Sequence, residues 1–147
     1  MATAKEYESS YGAEKFHNYS GKIQRYMDLA KRTASQSMFP DYRHGAVLVK
    51  GSSVRNTSFN KDNYCSFGSR FQKQHNGRTT LHAELGAILG LARSITDGAT
   101  VYVARIGRED DYKLSKPCHM CHQAMKHVGI KRVVYTINDK IAGSYKL

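Results

Sequence analysis

Apolar residues recur at Ile23, Tyr26, Met27, Ala30 and Ala34, the i, i+3, i+4, i+7 spacing of one helix face, and predict a first helix over residues 21–37. Phe39-Pro40-Asp41 ends it. The run Gly45-Ala46-Val47-Leu48-Val49 predicts a strand, Gly51-Ser52 a turn, and residues 53–59 the hairpin partner. Residues 60–80 read as a long loop, of a length that in a small domain usually has a function or moves. Leu85, Ile88, Leu89 and Leu91 predict a second helix over residues 81–93, with Thr79 or Thr80 as its cap. Residues 100–104 form a buried strand and residues 105–116 a charged loop. Pro117 suits the first turn of a third helix, where its missing N–H costs nothing; that helix runs to Val128 and stops at Gly129. Residues 131–136 are a strand, Asn138-Asp139 a turn and residues 141–145 a returning strand. This alternation predicts an α/β fold: three layers, α/β/α, around a mixed five-stranded sheet that ends in an antiparallel hairpin.

Composition narrows the class. A chain of 147 residues that is 40% apolar is long enough for one domain with a real core. Residues 1–20 are polar, lack the apolar centre of a signal peptide, and read as an extension; residues 21–147 carry the domain. The longest apolar stretch, around residues 86–92, falls far short of the roughly 20 residues that cross a bilayer. The expectation is a cytoplasmic protein with no membrane partner. The 23 Lys+Arg against 12 Asp+Glu, a formal +11, favour anionic partners: free nucleotides, phosphate groups or nucleic acid. The plain alternative is a basic surface that serves solubility.

Three cysteines, two of them in Cys118-His119-Met120-Cys121, argue for metal over a disulfide framework. The upstream His82-Ala83-Glu84 strengthens that reading. A catalytic zinc keeps three protein ligands and one open position, and His82, Cys118 and Cys121 supply three. Cys118 and Cys121 are three apart, so a helix puts them on one face, in a first turn whose exposed N–H groups and dipole favour thiolates. His82 opens the preceding helix, so two helix N-termini can converge on one ion. Glu84 is not needed as a ligand. A carboxylate there can take a proton from a metal-activated water and deliver it to a ring nitrogen and a departing ammonia. The pairing of H-x-E with P-C-x-x-C is the signature of zinc-dependent nucleobase deaminases.

With the element order, these residues resemble the cytidine deaminase-like superfamily from about Gly21 to Thr136. His82-Ala83-Glu84-Leu85-Gly86-Ala87-Ile88 resembles the family's H-A-E-x-x-A-I. Arg43-His44-Gly45-Ala46-Val47-Leu48-Val49 resembles its first strand, usually V-G-A-V-I-V, and Thr57-Ser58-Phe59-Asn60 is similar to its T-G-x-N. The resemblance implies Zn2+ as cofactor, Glu84 as the catalytic residue and Asn60 as a substrate contact. It also implies that Ala46, Val47 and Ala83 border the base, and that the chain forms homo-oligomers. Subfamily signals divide. Met120 and Lys131-Arg132-Val133-Val134-Tyr135 are closer to deoxycytidylate and transfer-RNA adenosine deaminases. The short ending after Thr136 is typical of free-nucleoside deaminases and some bacterial toxin deaminases.

Two loops bear on the substrate. Lys61, Arg70, Lys73 and Arg78 stand among Tyr64, Phe67 and Phe71; Arg105, Arg108, Lys113 and Lys116 surround Tyr112. Basic groups neutralise phosphate and aromatic rings stack on bases. Cys65, His75 and His44 are a further candidate metal set, against a plainer reading as a free thiol and loop histidines. Three functions stay open. The first is a zinc hydrolase converting cytosine to uracil in a free nucleoside or nucleotide, (deoxy)cytidine or its monophosphate. The second is a deaminase of cytosine or adenine in single-stranded DNA or RNA. The third is a non-catalytic zinc-stabilised nucleic-acid-binding module, in which a structural zinc would want a fourth ligand and Glu84 would be idle.

Overall fold

The computed structural model describes Ala4, residues 14–72 and residues 80–147. The elements run β1 (Lys15–Asn18), α1 (Gly21–Ala34), β2 (Arg43–Lys50), β3 (Ser53–Phe59), β4 (Lys61–Tyr64), α2 (Ser66–Ser69) and β5 (Thr80–Leu81), then α3 (Ala83–Ile88), α4 (Arg93–Thr96), β6 (Thr100–Ile106), β7 (Tyr112–Lys113), α5 (His119–His127), β8 (Arg132–Thr136) and β9 (Ile141–Lys146). The main sheet has seven strands in the order β1-β9-β8-β6-β2-β3, with β7 on the end of β6. Its one parallel pair among the described residues, β6–β8, is bridged by α5, the crossover such a pair requires. β8 and β9 close the chain as the expected antiparallel hairpin.

Period-two alternation along β2 assigns its side chains to two helical layers. Gly45, Val47 and Val49 face α1, where Val47 and Val49 pack with Tyr26, Met27 and Ala30 and with Tyr102 and Val134 of the sheet. Ala46 and Leu48 face α3 and α5, packing with Leu85, Ile88, Ala124 and Met125. A glycine permits close approach on each side. A Cβ on Gly45 would lie 2.1 Å from the Ala30 carbonyl oxygen of α1, and one on Gly86 of α3 would lie 1.9 Å from Ser58 Oγ of β3.

The α/β class and its three layers match the expectation, but the sheet is larger than five strands. Lys15–Asn18, within the stretch read as an extension, pairs with β9, and Tyr112–Lys113 of the charged loop pairs with β6. The loop 60–80 contains a two-stranded ribbon, β4 with β5, and the short helix α2. The helix expected over 81–93 stops at Ile88, because Leu89 turns extended and Gly90 takes a φ of 80°. Thr80 lies in β5 and so is not a helix cap; Thr79 falls outside the described residues. Among the described residues, no helix is long and apolar enough to cross a membrane.

Candidate metal and active site

His82 and Cys118 hold equivalent places: each is the extended N-cap residue just ahead of a helix, His82 before α3 and Cys118 before α5. Their carbonyls begin the helices by accepting the N–H groups of Gly86 at 3.1 Å and His122 at 2.9 Å. The side chains are therefore free to turn to a common point, one step earlier than a first-turn placement. His82 Nδ1 lies 3.8 Å from Cys118 Sγ and 3.3 Å from Cys121 Sγ, and all three donor atoms lie within 4.8 Å of one another. A tetrahedral zinc with its usual bond lengths separates sulfur from nitrogen by about 3.6 Å, so the donor set fits zinc. It is the one such group of His, Cys, Asp and Glu among the described residues.

The three donors share protons unevenly. The Cys118 thiol is held down to about 4, chiefly by a hydrogen bond from Cys121 and then by His82, against the opposing effect of burial. Cys121, with no exposed surface, is pushed well up by its bond to Cys118, by burial and by the charge of Glu84. His82 is raised, first by its bond to Cys118, with burial opposing and Glu84 assisting.

Glu84 stands in the first turn of α3 and is 5% exposed, a carboxylate withdrawn from bulk water beside the donor cluster. Above it opens a cavity of about 340 Å³ whose lining includes His44, Asn60, Ala83, Glu84 and Cys118, with Phe39, Tyr42, Lys61 and Lys116 also contributing. The expected substrate contacts are distributed unequally. Ala83 lines the cavity. Neither Ala46 nor Val47 is among the cavity's lining residues: Ala46 is buried on the metal-side face and Val47 packs under α1, so the two are split across the sheet. Asn60 lines the cavity, but its amide is already engaged: Oδ1 accepts the His44 N–H at 2.9 Å and Nδ2 donates to the Tyr42 carbonyl at 2.7 Å. Burial lowers the pKa of His44 below its ordinary value, outweighing the attraction of Glu84.

Much of the basic loop is neutralised. Arg108 pairs with Asp41, Lys113 with Asp111 and Lys116 with Glu14. Arg105 lies over the Tyr42 ring, 4.4 Å from its centroid. Lys61 stands over Phe59 at 4.8 Å and has no carboxylate partner among the described residues. Lys73, His75 and Arg78 lie outside the described residues. Cys65 is buried in the core with Ala46 and Leu48 and joins no metal-binding group among the described residues, which do not include the His75 of its candidate set. His119 is exposed, His122 stacks on Tyr145 with ring centroids 5.6 Å apart, and neither is in the donor cluster. Sequence reasoning passed over Phe39 and Tyr42 as pocket residues; their aromatic character beside the first strand is the one signal that pointed there. Glu14 was also passed over: its carboxylate accepts from both Lys116 and Tyr135, tying β1 to the pocket wall.

The family model for the cytidine and deoxycytidylate deaminase zinc-binding region matches residues 20–137. The chain is 28% identical over 125 residues to the deoxycytidylate deaminase of Mycobacterium phage D29, spanning 75% of this chain and 90% of that protein. Its fold resembles the dCMP deaminase of cyanophage S-TIM5, with a TM-score of 0.55 at 24% identity over 79% of this chain and 82% of that one. The same phage enzyme in complex with dCMP and dUMP gives 0.52 at 21% identity. Acinetobacter baumannii RibD gives 0.51 at 20%, and there 79% of this chain spans 28% of the longer partner.

Proposed function

Because the chain belongs to the cytidine and deoxycytidylate deaminase zinc-binding family, we propose that it is a zinc-dependent hydrolase that deaminates cytosine in a free pyrimidine nucleotide, with dCMP as the leading substrate. The observation that carries this reading is the buried Glu84 beside the His82, Cys118 and Cys121 donors, on the floor of a cavity with Lys61 and Lys116 also in its lining. A zinc ion held by those three residues supplies the Lewis acidity that makes a water molecule nucleophilic near neutral pH.

The remaining roles belong to the chain. Glu84, shielded from solvent, takes one proton of the attacking water and passes it to the ring nitrogen; it then moves the remaining hydroxyl proton to the amino group, so that C=O forms as the C–N bond breaks and ammonia leaves. Ala83 lies against the base. Lys61, which has no carboxylate partner among the described residues, faces the phosphate, and a mononucleotide needs only one or two such contacts. Pairing of Arg108, Lys113 and Lys116 with carboxylates leaves fewer free cations than a nucleic-acid strand would use, which weighs against an oligonucleotide substrate.

Zinc-loaded protein incubated with dCMP, CMP, deoxycytidine, cytidine and a cytosine-containing oligonucleotide should release ammonia fastest from dCMP. Turnover confined to the oligonucleotide would move the assignment to nucleic acid, and no turnover of any of them would refute the reading.

A further inference from the structure

Period-two alternation on β2 puts His44 on the same face as Ala46 and Leu48, toward the metal side of the sheet, and the imidazole lines the cavity. In the strand this one resembles, that position is usually valine. Here it holds an aromatic ring with two nitrogens, and the local structure distinguishes between them. His44 Nδ1 is 3.2 Å from the Tyr42 carbonyl oxygen. A carbonyl only accepts, so Nδ1 carries the proton and Nε2 is left as an acceptor. Nε2 has no hydrogen-bond partner among the described residues, and the residue lines the cavity.

Asn60 fixes this arrangement. Its Oδ1 holds the His44 N–H, its own N–H donates to the His44 carbonyl at 3.2 Å, and its Nδ2 donates to the same Tyr42 carbonyl that orients the imidazole. Asn60 thereby commits one bond of each amide group to the wall, and His44 adds to the cavity lining an Nε2 acceptor without a hydrogen-bond partner among the described residues. Burial ranks three residues of the cavity lining: Glu84 is buried, His44 half-buried and Lys61 exposed. A nucleotide laid from base to phosphate along that order brings its sugar to His44.

We infer that His44 is a specificity-determining residue that accepts a hydrogen bond from the sugar 3′-hydroxyl of a cytosine nucleotide, with Asn60 as the residue that positions it. The inference rests on the function proposed above. In dCMP the 3′-hydroxyl is the only free sugar hydroxyl, so the contact has one donor.

The test is a cycle between enzyme and substrate: kcat/KM for dCMP and for 2′,3′-dideoxycytidine 5′-monophosphate, with the zinc-loaded wild type, His44→Phe, His44→Val and His44→Gln. Removing the hydroxyl should cost the wild type roughly three- to tenfold, the range of one neutral hydrogen bond. It should cost the Phe and Val variants less than about twofold, and Gln, which restores an acceptor, should recover part of the discrimination. Two apolar replacements of different shape keep the test independent of the folding of either. An equal penalty in wild type and variants, or none in the wild type, overturns the inference while leaving the deaminase assignment standing. No turnover of dCMP by the wild type removes the assignment itself.

Discussion

The two faces of the sheet solve different problems with the same material. Among the described residues, one face carries a single fourteen-residue helix, α1, whose buried Tyr26, Met27, Ala30, Thr33 and Ala34 form one stripe, and no group of metal donors lies under it. The other carries α3, of six residues, and α5, of nine, both preceded by a donor residue at the N-cap. A long helix maximises continuous burial; two short ones supply two N-termini and let three ligands converge. The functional face thus gives up helical continuity for helix ends, and the opposite face supplies a continuous packed layer.

The largest expected effect breaks the functional face alone. Glu84→Gln should lower kcat by about 10²–10⁴-fold, the scale of a lost general acid-base, while thermal unfolding stays near that of the wild type. Steady-state kinetics with circular-dichroism melting checks both halves. Met27→Ala should do the reverse. Met27 has no exposed surface on α1, so truncation leaves a cavity costing about 2–5 kcal/mol in denaturant unfolding, with turnover per folded molecule unchanged. A large loss of specific activity in that variant would show that the faces are coupled rather than divided.

A third effect concerns the zinc donors themselves. Ligands bind zinc only when unprotonated. The raised values of His82 and Cys121 mean that these two hold protons to higher pH than usual and must release them on binding, whereas Cys118, at about 4, is already a thiolate. Apparent zinc affinity should therefore rise with pH between 6 and 8, by up to about tenfold per unit for each proton displaced. Competition against a chromophoric chelator measures it, and a flat profile would contradict the assigned donor set.

What was legible in the sequence follows the range of the forces involved. The α1 stripe, the β2–β3 hairpin and the β8–β9 hairpin depend on neighbours within a few residues, and periodicity exposed them. β1 was not legible, because KFHN becomes a strand only against Ser144 and its neighbours at the far end of the chain. The end of α3 was missed because apolar spacing continues through Leu89 and Leu91 while Gly90 reverses the backbone. For the site, His82, Glu84, Cys118 and Cys121 stand in two compact motifs and could be named at once. The engaged amide of Asn60 could not, since its partners Tyr42 and His44 lie around the start of β2, 18 and 16 positions away in the chain. Alternation along the predicted strand already separates Ala46 from Val47; which of them shares the metal's face required the packing of α1 and α3 on the sheet.

The pairing of β1 with β9 also has a consequence in time. His17 and Ser144, joined across that pair at 2.8 Å, are 127 positions apart in the chain. At a synthesis rate of about 5–20 residues per second, β1 waits roughly 6–25 s for the strand it pairs with. Glu14, which reaches Lys116 at the pocket wall, leads directly into β1. The wall is therefore completed only after β9 has been made, so a nascent chain long enough to contain both zinc motifs still lacks a finished pocket.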